Sequence, residues 1–238
     1  MNDDTDLVPA VLADDVVAIV PMRNVVLFPH VLMPVTVGRP KSVAALRHAL
    51  AAKAVLGIVL QKDPKADDPG LDELCEIGTL ANIVQHQEAD DGQIHAICQG
   101  LQRVRILELI DGHPFLAARI ERLDEPAAVS TEAQALAPQL RERGMEILSM
   151  MPGVPAEMAH VLQATRSPSQ LADLAASLLD IEPAEKQLLL ETHGSEERLE
   201  KVLNVLSHRI EVLRLSQEIG ARTKEQMDDR QRRFILKE

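Results

Sequence analysis

The chain has 238 residues, 46% hydrophobic and 26% charged, which is a globular composition with room for one large or two ordinary domains. Three Phe, no Tyr and no Trp leave the core to aliphatic side chains and exclude sites built on stacked rings, such as single-strand base platforms and aromatic cages. A net charge of −12 argues against a phosphate backbone as partner for the whole surface.

The charge is uneven. Residues 1–195 hold 15 basic and 28 acidic residues, whereas 196–238 hold 10 and 9. Residues 1–14 are polar and acidic and read as a flexible N-terminus. They lack the positive region and apolar run of a secretory signal. No apolar stretch approaches the ~20 residues of a membrane span, so no membrane partner is expected. Val16 to Val20 is a β-branched run ended by Pro21. Val31 to Val37 is a second run whose Pro34 predicts an edge or bulged strand. In 41–52 the period changes to helical, with Val43, Leu46, Ala49 and Leu50 on one face. Val55 to Leu60 returns to a buried strand, and 62–70, KDPKADDPG, is a charged loop. Thr79 to Val84, Ile94 to Cys98, Val104 to Leu109 and Phe115 to Ile120 are short β segments. Asp-Gly pairs at 91–92 and 111–112 mark hairpin turns between them. These strands with one helix predict a small β-barrel or sheet domain over 15–125.

After Pro126 the period is helical throughout. Thr131 with Gln134 and Ser167 with Gln170 match capping boxes, and Pro168 stands in a first turn. A helical subdomain is expected over 126–195, with Gly194 as a stop and Ser195 as the next cap. From Glu196 onward there is no proline and one glycine. Leu199, Leu206, Leu213, Gly220, Met227 and Phe234 recur every seven residues. The companion seam Leu203, Ile210, Gln217, Lys224, Gln231 turns polar after Ile210. At ~1.5 Å per residue, some 40 residues reach ~60 Å. The first half should pack on the bundle and the second half project, with bending at Gly220 as one possibility for its path. The ending Phe-Ile-Leu-Lys-Glu carries no cap signal, as expected of a fragment separated from a longer protein.

Chemistry-bearing motifs are scarce. There is no G-x-x-x-x-G-K-[ST], no G-x-G-x-x-G, no G-x-S-x-G and no H-E-x-x-H. His95 and Cys98 are three apart, which strand alternation places on opposite faces, so no metal site is expected there. Cys75 and Cys98, with 22 residues between them, suit a reducing cytosol. The chain is read as having no catalytic, metal or cofactor residues of its own.

One segment is distinctive. Residues 20–42, VPMRNVVLFPHVLMPVTVGRPKS, closely resemble the opening motif of the amino-terminal domain of Lon proteases. Further matches are GTLANIV at 78–84, QGLQRVRI at 99–106 and KEQMDDRQRRFILKE at 224–238. The resemblance implies an α+β fold: a PUA-like β domain over 15–125, a helical subdomain over 126–195, and a long helix over 196–238 leading toward an ATPase module. It implies the substrate-recognition and assembly region of a cytoplasmic, ATP-dependent serine protease that degrades misfolded and short-lived regulatory proteins. ATP and magnesium, a homohexamer and any DNA binding would belong to the intact protein. Pro21, Met22, Leu27, Phe28, Pro29 and Met33 either close the β core or contact unfolded or degron-bearing substrates, since Met-rich surfaces tolerate many sequences. Arg23 is expected to tie down this loop. Leu213, Gly220, Met227 and Phe234 are the candidate assembly stripe. A stand-alone PUA-like module binding RNA or protein is the alternative, against which the acidity and the missing aromatics weigh.

Overall fold

β1 (Val16–Met22) is buried along its whole length, and its residues alternate between two hydrophobic clusters. The structure, a computed structural model, describes residues 12–125 and 129–235, with side chains described through residue 224. Residues 1–11 of the expected flexible N-terminus and the last three residues lie outside it.

β2 (Leu32–Val37), α1 (Pro40–Ala52) and β3 (Leu56–Leu60) follow. β3 pairs parallel to β1, with β2 and α1 forming the crossover. β4 (Ile77–Glu88), β5 (Ile94–Ile110) and β6 (Ala117–Leu123) form an antiparallel meander. The sheet order is β2-β5-β4-β3-β1-β6, and β6 also pairs with β5. Five strands therefore close on themselves as a small barrel, and β2 is added outside the ring along the first part of β5. Pro34 sits in this edge strand, as its missing N–H requires.

β5 is one strand of 17 residues, not the two short ones that the sequence predicts around Gly100. Register shifts in β4 opposite this stretch let the strand bend without breaking. The turns at Asp91-Gly92 and Asp111-Gly112 form as expected, with Gly92 at φ 81 and Gly112 at φ 92.

The helical layer comprises α2 (Thr131–Met150), α3 (Ala156–Ala164), α4 (Pro168–Leu178), α5 (Pro183–Glu191) and α6 (Ser195–Ile235). Ser130, not Thr131, caps α2, accepting from the Ala133 amide at 3.0 Å. Ser167 caps α4 ahead of Pro168. α6 runs unbroken through Gly220. Leu199, Val202, Leu206 and Ile210 bury its first half, and every residue from Arg214 to Lys224 is exposed. The architecture is α+β. One cluster joins the barrel residues Ile19, Phe28, Leu80 and Val104 to Leu140, Leu171 and Leu206 of the helices. The other packs Ala18, Val20 and Leu27 on α1.

Candidate functional site

Residues 20–42 leave β1, cross the end of the sheet and return as β2. Backbone bonds fix the crossing. Thr79 Oγ1 donates to the Leu27 carbonyl at 2.6 Å. The His30 amide donates to the Gly100 carbonyl, and the Gly100 amide to the Val31 carbonyl, both at 2.9 Å. A Cβ at Gly100 would lie 2.1 Å from the Phe28 oxygen, so only glycine lets β5 approach this closely. His30 takes φ 63 at the corner. The blocks at 78–84 and 99–106 are thus the seat on which 20–42 rests.

Arg39 clamps the other side. Its Nη1 donates to Gln61 Oε1 at 2.8 Å and to the Asp67 carbonyl at 3.3 Å, and its Nη2 donates to the Pro21 carbonyl. Burial, with Arg23 nearby, pushes its pKa below the ordinary guanidinium value. Arg23 pairs with Asp67 at 2.6 Å and Lys41 with Asp68, so the acidic loop 62–70 is latched across the segment.

Pro21, Met22, Leu27, Phe28 and Pro29 are buried, and Met33 is half-buried. Phe28 joins the cluster shared with the helices, whereas Leu27 and Met22 join the one under α1. The outward members of the segment up to Pro34 are Arg23, Asn24, His30, Leu32 and Pro34, and beyond it Thr36, Gly38, Pro40 and Lys41. A cleft of about 640 Å³ opens where the segment meets the helices. Val25, Val26 and Met33 form one wall, Leu179, Ile181 and Pro183 the other. Its rim is charged: Arg209 pairs with Asp180 at 3.1 Å, and Lys186 donates to the Ser177 carbonyl at 3.1 Å. Burial lowers the Lys186 pKa. Outside the barrel, Leu32, Val84 and Ile97 are exposed around Pro34.

On α6, Leu213 is half-buried against the core and Gly220 is exposed with nothing near it. The side chains of Met227 and Phe234 lie outside the described residues. The exposed apolar positions are instead Val212, Leu215 and Ile219, spaced three and four apart on one face.

A buried ion cluster with no local signature in the sequence joins the sheet to the helices. Arg103, on β5, sets its Nη1 and Nη2 on the Asp173 carboxylate at 2.9 and 2.6 Å. Arg198 reaches the same carboxylate at 3.1 Å and Glu125 at 3.0 Å. All three of Arg103, Asp173 and Arg198 are at most 2% exposed. Arg103 Nε also donates to the Leu190 carbonyl at 2.8 Å. Arg103 lies within QGLQRVRI, but its partner is 70 residues away and invisible to local pattern.

His95 Nδ1 lies 2.9 Å from Thr36 Oγ1 on the outer face. Cys98 is buried on the inner face, where burial pushes its thiol up to about 11. Among the described residues no group of three or more His, Cys, Asp or Glu side chains is placed to hold a metal ion. No described helix is long and apolar enough to cross a membrane.

Residues 16–208 match the family model described as the ATP-dependent protease La (LON) substrate-binding domain. The chain belongs to this family. Lon proteases of Phenylobacterium zucineum and Paraburkholderia phytofirmans are each 43% identical to it over 228 residues, 95% of this chain but 29% and 28% of theirs. The Lon protease of Escherichia coli K12 is 32% identical over 222 residues, 93% of this chain and 28% of its own. The chain thus spans under a third of the length of these relatives. The N-terminal domain of Mycobacterium avium complex Lon protease shares the fold at TM-score 0.69 and 22% identity, over 81% of this chain and 98% of that one. A Lon N-terminal domain protein from Xanthomonas campestris does so at 0.55 and 16%, over 79% and 97%. The Lon match includes the segment 20–42, its glycine seat and both arginines of the buried ion cluster.

Proposed function

We propose that this chain is the substrate-recognition and assembly region of an ATP-dependent Lon serine protease that degrades misfolded and short-lived regulatory proteins in the cytoplasm. The family match over residues 16–208 carries the reading. The aliphatic cleft between the segment and the helices supports it. A recognition surface for unfolded chains needs apolar contact without a demanding shape, and Met33 beside Val25 and Ile181 offers this. Pro21, Met22, Leu27, Phe28 and Pro29 serve it by fixing the segment, and Met33 makes the direct contact. The α6 stripe meets other subunits of a homohexamer, with Leu213 and Gly220 beside the exposed Val212, Leu215 and Ile219, and with Met227 and Phe234 continuing the seam. The sequence has no phosphate loop, and the described residues include no metal-holding group. In this proposal ATP, magnesium, the proteolytic site and any DNA binding belong to the rest of a longer protein; this chain spans under a third of the length of its relatives.

Crosslinking to reduced, carboxymethylated lactalbumin tests the reading. Val25→Lys and Met33→Lys should each cut capture at least severalfold, while Leu107→Lys, exposed on β5 and outside the cleft lining, leaves it intact. Unchanged capture by both cleft variants, with their melting temperatures preserved, rejects the cleft as the contact surface.

A further inference from the structure

Acids outnumber bases by 37 to 25, so a cleft lined by bases with no acid is worth examining. In the helical layer Arg143 and Arg214 lie on Glu146, Arg198 on Asp173 and Glu125, and Arg209 on Asp180. Lys186, Arg222 and Lys224 make no ion pair among the described residues, and neither do Arg141 and Arg166. Both line a cleft of about 370 Å³ between α2 and the start of α4, walled by Val129, Ala137, Pro138 and Pro168, with no acidic side chain in its lining.

The Arg141 guanidinium is held in place. Its Nη2 donates to the Thr165 carbonyl at 2.8 Å, which seats it beside the backbone of Arg166. Its Nε is buried with no hydrogen-bond partner. A buried guanidinium N–H without an acceptor has lost its water and gained nothing in return. Two guanidiniums in one cleft also repel when no counter-charge sits between them. One oxyanion removes both defects, because arginine forks fit a planar oxyanion through charge-assisted bonds. The first turn of α4, where Pro168 stands, adds its positive helix end to the same cleft. The apolar walls favour an oxyanion joined to an aliphatic body over a free hydrated ion.

We propose that the Arg141–Arg166 cleft binds a carboxylate carried on a polypeptide, either a chain terminus or an acidic side chain. This rests on the reading of the chain as a polypeptide-binding region.

The test is fluorescence anisotropy on the full chain with three labelled ten-residue Ala/Leu peptides. One has a free C-terminal carboxylate, one is its amide, and one is the amide with a single internal Glu. At least one carboxylate peptide should bind roughly tenfold tighter than the plain amide, and which one does so identifies the source. Arg166→Gln should abolish this difference and leave the plain amide's affinity unchanged. Arg166 is exposed, so the variant folds. Arg141→Lys, keeping charge but losing the fork, should weaken it in part. Equal binding of all three peptides, or a difference that survives Arg166→Gln, overturns the proposal. Inorganic phosphate competing as well as the peptide overturns it in favour of a free anion. Lactalbumin capture is measured alongside: if capture persists without a carboxylate effect, only the cleft assignment fails, and if all polypeptide binding is absent, the underlying reading fails too.

Discussion

A methyl group added at Gly100 would stand 2.1 Å from the Phe28 carbonyl oxygen, a rigid backbone atom. Gly100→Ala must therefore push β5 away from the segment, and we expect a loss of about 3 kcal/mol in urea denaturation. Gly220 has nothing within 4 Å. Gly220→Ala should raise the helicity of α6, by ~1 kcal/mol of local helix stability, and leave the urea midpoint unmoved. Glu125 tests charge in place of shape. Burial would raise its carboxyl, but hydrogen bonds and charge from Arg198, with Ser169 and Arg103, outweigh this and hold it below its ordinary 4.5. A depressed folded value means that the stabilisation is full above the ordinary value and is lost as pH falls through the folded one. Glu125→Gln should be less stable than the parent at neutral pH, and the gap should close as pH falls below the ordinary 4.5 and through the depressed folded value. A gap that stays constant over that range would rule out the ion pairing as its source.

At the scale of elements, the Arg103–Asp173–Arg198 cluster fastens α4 and α6 to β5. Removing the shared carboxylate leaves two buried guanidiniums with only the part-exposed Glu125. Asp173→Ala should cost roughly 3–5 kcal/mol, and calorimetry should show it. A loss below ~1 kcal/mol would mean that water reaches the pair. This cluster also marks where sequence reading stops. Turn chemistry at Asp91-Gly92, the edge position of Pro34 and the Ser167-Pro168 start of α4 are local and were legible. The apolar runs around Gly100 predict two segments, whereas β5 is one continuous strand through that glycine. The glycine serves to admit the Phe28 backbone, a partner 72 positions earlier in the chain. The segment 20–42 was recognisable as special. Which of its residues face inward was not, because Val25 to Phe28 alternate between two buried clusters, so no polar–apolar alternation marks a face.

For the whole molecule the open question is how α6 meets other chains. Light scattering should report a larger mass for residues 1–238 than for a version ending at Ser216, and Val212→Lys with Leu215→Lys should lower the mass of the full chain. Equal masses throughout would remove α6 from assembly. Beyond Leu213 the helix continues to Ile235 with its described side chains all exposed, a rod of about 33 Å with one end set in the core. Such a rod is a lever arm, not a leash. With its far end held, a rod of fixed length would confine the barrel to a shell and would not let it roam a volume. Any tilt at its far end is magnified: ten degrees over that length carries the core end about 6 Å sideways. Small rotations of a held far end would therefore become displacements as large as a residue's width at the barrel.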